Sequence, residues 1–457
     1  MISKNPRQIK LWLLMVSAVV FWTIGTGFSR DLAAKSEATY EELKIFSDVI
    51  ELIEREYVDD VNTKDLIQKA IQGMVQSLDP HSALLPQDAF EDLQIDTQGK
   101  FTGIGIHITM QDGFVTVISP IEDTPAYKAG IKAQDKIIKV DDQPAKDLRE
   151  AVKMMRGPKG TKVKVTIMRE GAKKPLEFEL IRDVIPIVSV KSILLDPGYG
   201  YVRLSNFTGT TTDELEKALG EMENLEMPLK GLILDLRNNG GGLLNQSIKV
   251  ADLFLDSGDI LSIKGRNKKN TKVFKATDSE IKRDYPLVVL INGGTASASE
   301  IVAGALQDHK RALILGTTSF GKGSVQTVET LRDGSGLKLT IARYYTPNDR
   351  SIQAKGITPD IYLKFRRLDP EEMERKETGL LKEKDLENHL EAEPGKVKQP
   401  QTDSQETEDS EKDSRMDEAE QRIGPLTRES LQSDNQVIRA LEMLRSYEIF
   451  KNLNLKS

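Results

Sequence analysis

A serine in a turn of small residues and a lysine held between two glycines are the groups in this 457-residue chain best suited to nucleophilic catalysis. The serine is Ser297, within Asn292-Gly-Gly-Thr-Ala-Ser-Ala-Ser-Glu300, and the lysine is Lys322, within Gly321-Lys-Gly-Ser-Val-Gln326. A hydroxyl is a poor nucleophile until a base removes its proton, and an amine can do so only when burial or a neighbouring positive charge lowers its pKa. Gln326 could orient that amine without adding charge, whereas a carboxylate in its place would hold the amine protonated. If pairing starts at the lysine, an extended strand puts Lys322 and Gln326 on one face. The competing roles are a helix N-cap for Ser297 and a solvated loop lysine for Lys322. The four histidines, His81, His107, His309 and His389, lie in no recognisable triad motif, and His309, at the end of the helix after the serine, is expected to face outward.

These side chains need elements to position them. Pro286 to Ile291 is a continuous apolar run suited to a buried strand, and Glu300 to Asp308 reads as a helix. Ser297 therefore sits on a strand-to-helix corner, where the first unpaired N–H groups of the helix face outward toward developing negative charge. Lys322 lies between an apolar strand, 311–316, and an alternating one, 324–329. A third buried strand, Gly231 to Leu236, runs into Arg237-Asn-Asn-Gly-Gly-Gly242, whose glycines leave backbone amides free to turn toward a ligand; a plain flexible turn is the alternative.

Four motifs, Asp235-Leu-Arg-Asn-Asn-Gly-Gly-Gly242, Gly294-Thr-Ala-Ser-Ala-Ser-Glu300, Phe320-Gly-Lys-Gly-Ser-Val-Gln326 and Gly356-Ile-Thr-Pro-Asp360, resemble those of the carboxyl-terminal processing (tail-specific) proteases. The resemblance covers about residues 37–364, and the 25-residue interval from Ser297 to Lys322 agrees with it. It implies a multidomain α+β / α/β chain with a crotonase/ClpP-like serine protease core, an inserted PDZ domain and helical N- and C-terminal regions. By the same carry-over Ser297 is the nucleophile, Lys322 the general base and Gln326 its positioner, with the amides of Gly241 and Ala298 forming the oxyanion hole and no cofactor or metal required.

The PDZ expectation rests on Phe101-Thr-Gly-Ile-Gly-Ile-His-Ile108, Pro125-Ala-Tyr-Lys-Ala-Gly-Ile131, Asp135-Lys-Ile-Ile-Lys-Val140 and a helix near 148–155, in that order. A peptide with a free C-terminus would add as a strand there, its carboxylate held by Gly103, Ile104, Gly105 and Ile106. Arg156 could read the incoming chain or touch the protease core, and the reading favoured over both is a solvated helix-end arginine. Two rivals are weaker. Gly316-Thr-Thr-Ser-Phe-Gly-Lys322 nearly reproduces a phosphate-binding loop, but Gly323 replaces the metal-binding hydroxyl and a strand follows. A non-catalytic PDZ scaffold or chaperone would have no need of Ser297, Lys322 and Gln326 together.

The remaining sequence sets the context. A hydrophobic content of 38% is enough for real cores, a net charge of −7 argues against a nucleic-acid surface, and zero cysteines exclude disulfides and thiol chemistry. Lys4, Arg7 and Lys10 precede an uncharged run of 18 residues, 11–28, which predicts export, with a signal peptide or inner-membrane anchor and a periplasmic or extracytoplasmic remainder. The helical stripe of Leu43, Phe46, Ile50, Ile53 and Tyr57, and a helix opened by a capping box at Ser433-Asp-Asn-Gln436, are expected to pack together or on a second subunit of a homodimer, with ordinary intramolecular packing an equal alternative. The expected boundaries are 1–35 for the signal or anchor, 36–97 for an N-terminal helical region, 98–183 for the PDZ domain, 184–367 for the protease core, 368–425 for an acidic disordered linker and 426–457 for a C-terminal helix.

Overall fold

The computed structural model describes residues 39–267, 269, 271–368 and 426–454. The apolar segment 11–28 and the acidic stretch 369–422 lie outside these residues. Two compact units divide at Leu84 and Leu85. The first holds a helix over 39–56 and a second, Thr63–Gln76, whose first N–H groups are capped by the Asn62 side chain. On the first helix Leu43 and Phe46 are exposed and Ile50 and Ile53 half-buried, and Tyr57 just beyond its end is exposed, so much of the apolar stripe faces outward.

The second unit is built on a six-stranded sheet in the order Val190–Asp196, Tyr199–Leu204, Gly231–Asp235, Leu287–Ile291, Leu313–Gly316 and Ile361–Tyr362. Only the first pair is antiparallel. Parallel strands are covered on both faces, which is why their sequences read as unbroken apolar runs rather than alternating ones. Leu232, Leu234, Leu287, Val289 and Ile291 join a core with the helices Thr211–Glu223, Leu244–Asp252 and Ala298–Asp308. Their strand neighbours Ile233, Val288 and Leu290 belong to a separate core with Val437, Ala440 and Leu444 of the C-terminal helix, Asn435–Asn454. With a side-chain period of two, that division places the C-terminal helix on the opposite face of the sheet.

Of the two expected arrangements the terminal helix takes the intramolecular one, packing on the parallel sheet of its own chain. A Cβ at Gly231 would stand 3.0 Å from a Leu444 methyl, so the strand takes glycine where the helix approaches. The helix also opens one residue later than expected. The Asp434 carboxylate accepts the N–H groups of Gln436 and Val437, while the Ser433 hydroxyl donates backward to the Ser430 carbonyl.

A second sheet includes Asp259–Gly265, Lys272–Lys275, Ser324–Thr330 and Gly336–Tyr345, and it carries the lysine arm. The PDZ module is entered and left through a two-stranded ribbon, Lys100–Gly103 against Asp183–Pro186. Its own sheet runs Ile106–Gln111, Phe114–Pro120, Lys136–Val140, Lys162–Met168 and Leu176–Ile181, around a buried core from Ile104 to Leu180. Ile106–Gln111 is an edge strand, with the helix Leu148–Met155 beside it.

Candidate active site

Ser297 occupies the sharp corner between the strand Leu287–Ile291 and the helix Ala298–Asp308, with φ 57° and ψ −113°. An L-residue held there costs about 1–3 kcal/mol and persists only where its surroundings over-determine it. The surroundings here are polar bonds to the glycine-bearing loop. Thr295 Oγ1 donates to the Leu236 carbonyl at 2.8 Å, the Ala296 N–H and the Ser299 hydroxyl both donate to the Asn239 carbonyl at 2.9 Å, and Asn238 and Asn292 exchange bonds at 2.9 and 2.8 Å. Ser297 itself stays half-buried, so its hydroxyl can be reached from outside.

Glu300 joins this turn to the lysine loop. Its fully buried carboxylate accepts four hydrogen bonds: the Ser319 hydroxyl at 2.6 Å and the Gly321 N–H at 2.7 Å on Oε1, the Ser297 N–H at 2.7 Å and the Lys322 N–H at 2.9 Å on Oε2. Because Ser297 and Lys322 share one oxygen, their backbone nitrogens can be no farther apart than the sum of those two bonds. The Phe320 N–H adds a bond to the Thr295 carbonyl at 3.0 Å. Sequence reading gave Glu300 no role beyond its place in a motif. The available signal was its position three residues after Ser297, the spacing at which an acid reaches back to the N-cap amide.

The other expected site residues fall less simply. A Cβ on Gly241 (φ 102°) would stand 2.9 Å from Ser297 Cβ and 3.0 Å from the Ala298 nitrogen, so the glycine run does face the nucleophile and the first helical amide. The Gly241 N–H, however, donates to Asn239 Oδ1 at 2.9 Å, a turn in which the side chain two residues earlier captures the amide expected for the oxyanion. Gln326 Nε2 donates to Ser324, at 2.6 Å to the hydroxyl and 3.2 Å to the carbonyl. Pairing begins at Ser324 and not at Lys322, and a bulge falls between Val325 and Gln326, so the simple one-face rule does not apply. His309, expected to face outward, is half-buried with Nε2 at 2.7 Å from the Asp259 carbonyl, at the far end of the serine helix.

Asp235 and Arg237, also unassigned by sequence, form a buried cluster under the glycine loop. Arg237 donates to Asp235 and Asp434 at 2.7 and 2.8 Å and to Gln436 at 2.7 Å, which ties the loop to the start of the C-terminal helix. Burial alone would push the Asp235 carboxyl up, but the Arg237 guanidinium more than offsets it and holds the carboxyl below its ordinary value of 3.8.

In the PDZ module the segment Gly103 to Ile106 divides its work. Gly103 pairs with Asp183 in the ribbon, the Ile104 side chain is buried, and Ile106 starts the edge strand. The Ile104 carbonyl accepts from the Ala126 N–H, and that of Gly105 accepts from the Ile121 N–H and Thr124 Oγ1. Gly105 has φ 78°, and a Cβ there would meet Thr124 at 2.3 Å, so no larger residue fits. The Arg156 guanidinium pairs with Asp92 at 2.6 Å and lies over the Phe101 ring at 5.5 Å, which ties it to the helix Gln87–Gln98 and the ribbon.

Comparison with known proteins identifies the family. Residues 198–363 match peptidase family S41, residues 102–180 match the PDZ domain, and residues 26–89 match the activating protease CtpB N-terminal domain. A carboxy-terminal-processing protease of Bartonella bacilliformis is 45% identical over 360 residues, covering 76% of this chain and 82% of that protein. The carboxy-terminal processing protease CtpA of Bacillus subtilis is 38% identical over 364 residues, covering 78% and 77%. Among solved structures, the photosystem II D1 C-terminal processing protease shares 34% identity, covering 70% of this chain and 92% of that one, with a TM-score of 0.41. The chain belongs to the carboxy-terminal processing proteases of peptidase family S41 and is a serine peptidase carrying a PDZ domain.

Proposed function

We propose that this peptidase cuts with Ser297 as nucleophile and Lys322 as general base, on substrates selected by a free C-terminus in the PDZ groove. The observation that carries the reading is Glu300 Oε2, which accepts the N–H groups of both residues and so fixes one loop against the other. In the first step Ser297 Oγ bonds to the peptide carbonyl carbon while its proton passes to Lys322 Nζ. The proton then goes to the departing amine as the C–N bond breaks; water, deprotonated by Lys322 Nζ, then attacks the ester carbon, and that proton returns to Ser297 Oγ as the acyl C–O bond breaks. The Ala298 amide supplies one donor to the oxyanion. Gly241 supplies the second when its N–H exchanges Asn239 Oδ1 for the substrate oxygen. Gln326 acts on Lys322 through the loop whose next residues its amide holds.

In the groove, the substrate tail adds beside the edge strand Ile106–Gln111, its carboxylate at Gly103 to Ile106. The half-buried Ile106, Ile108 and Leu148 around the PDZ core favour an apolar terminal side chain. The protein acts outside the inner membrane, held there by residues 11–28, and dimerises through the exposed stripe of Leu43, Phe46 and Tyr57. Among the described residues no helix is long and apolar enough to cross a membrane, so the anchor rests on the sequence of 11–28. Cell fractionation and sedimentation of the full chain check these two points, and a soluble, monomeric protein contradicts both. The test of the main reading is the full-length protein and Ser297→Ala with peptides that differ only in a free or amidated C-terminus. Wild type is expected to cut the free-tail peptide preferentially and Ser297→Ala to bind it without cutting. Cleavage by Ser297→Ala, or equal rates on both peptides, would contradict it.

A further inference from the structure

Tyr344 stands on the strand Gly336–Tyr345 and is buried, with its backbone N–H donating to the Gly323 carbonyl at 3.0 Å, one residue beyond Lys322. Its hydroxyl completes no hydrogen bond. A buried donor left unmet is uncommon in a folded protein, because it lost its water and received nothing in return. The same hydroxyl lies close enough to the Ser297 side chain and the Glu300 carboxylate to feel both, yet it closes a full hydrogen bond to neither. Burial pushes the phenol well above its ordinary value, Glu300 adds to this and the Ser297 hydroxyl opposes it, so the group keeps its proton.

We propose that Tyr344 is a positioning residue for the nucleophile, its hydroxyl donating to Ser297 Oγ in a bond that tightens as Oγ passes its proton toward Lys322. The inference rests on the Ser297/Lys322 reading and extends it. Negative charge that develops on an oxygen as its proton leaves is stabilised by a donor aimed at it beforehand, and a donor without a competing partner is already free to turn. The bond also fixes which way Oγ points, so that its own proton is directed at Nζ. Once Oγ is esterified it is a weaker acceptor, and the bond relaxes. An unmet hydroxyl in the resting protein is then the complement of one that is met during the reaction.

Tyr344→Phe in the full-length enzyme removes this oxygen alone. Steady-state cleavage of a free-tail peptide, thermal unfolding, and the rate at which a fluorophosphonate labels Ser297 would be measured beside wild type and Ser297→Ala. The expected result is a kcat and a labelling rate lower by roughly 10- to 100-fold, with KM unchanged and Tm equal or higher, since an unsatisfied buried donor has been removed. A wild-type kcat in Tyr344→Phe overturns the proposal, as does a Tm loss large enough to account for the missing activity. Cleavage surviving in Ser297→Ala would instead remove the dyad reading on which the proposal stands. An inert Ser297→Ala beside a fully active Tyr344→Phe removes the tyrosine alone.

Discussion

Glu300 makes the sharpest demand at the scale of single residues, because four donors converge on its two oxygens: Oε1 holds the lysine loop and Oε2 bridges that loop to Ser297. Glu300→Gln keeps the size but turns one oxygen into an NH2, which must then face N–H or O–H donors. The expected cost is about 2–5 kcal/mol of stability, with cleavage falling further than stability alone accounts for, since the loops of Ser297 and Lys322 lose their shared tie. Thermal unfolding and turnover on the same sample check this, and an active, stable Glu300→Gln would show that the tie is dispensable. Ser297 and Lys322 were legible in the sequence because small residues around a reactive one leave room for backbone and substrate. The partners of Gly241 and Gln326 were not legible. A side chain two residues away holds each of them, Asn239 in one case and Ser324 in the other, and a bulge that no residue pattern announces displaces Gln326 from the simple alternation.

Among elements, the strands were readable from their apolar runs, since strands buried on both faces must be apolar throughout. The placement of the C-terminal helix was not readable. Its stripe of Val437, Ala440 and Leu444 shows that one side is covered but not by which sheet, and a long acidic stretch of sequence separates it from the strands it covers. The polar clasp under the glycine loop makes this helix part of the site's support. At neutral pH, Arg237→Met should cost about 3–5 kcal/mol, because it leaves the buried charges of Asp235 and Asp434 without the cation that pairs with them. The pH dependence has a definite sign. Because the Asp235 carboxyl is held below 3.8 in the folded protein, the stability it contributes is present above that value and is lost as pH falls through the folded value. Wild-type Tm should therefore drop in that acid range, while the gap to Arg237→Met narrows as protonation relieves the variant's buried charge. A gap that is constant with pH would contradict the clasp.

For the whole molecule, the architecture separates selection from cutting. A PDZ module with its own core is inserted through one ribbon, Lys100–Gly103 with Asp183–Pro186, and Arg156 fastens its groove helix to Asp92 outside the module. General peptide chemistry becomes selective when the groove must first hold a tail. The PDZ module was legible because its segments come in a fixed order. The role of Arg156 was not, because an arginine at a helix end carries no mark of the carboxylate it will meet 64 positions away. In the proposed reading all of this serves one event, proton transfer from Ser297 to Lys322, and the most direct measurement follows that event in the full-length protein. Wild type and Lys322→Ala are treated with a fluorophosphonate across a range of pH, and the adduct is located and timed by intact-mass and peptide mass spectrometry. The expected result is a single adduct on Ser297, forming faster as pH rises because a protonated amine has no lone pair to accept with, and slower by roughly 10^4-fold in Lys322→Ala. Labelling of Lys322→Ala at the wild-type rate, or an adduct on any other serine, would contradict the account.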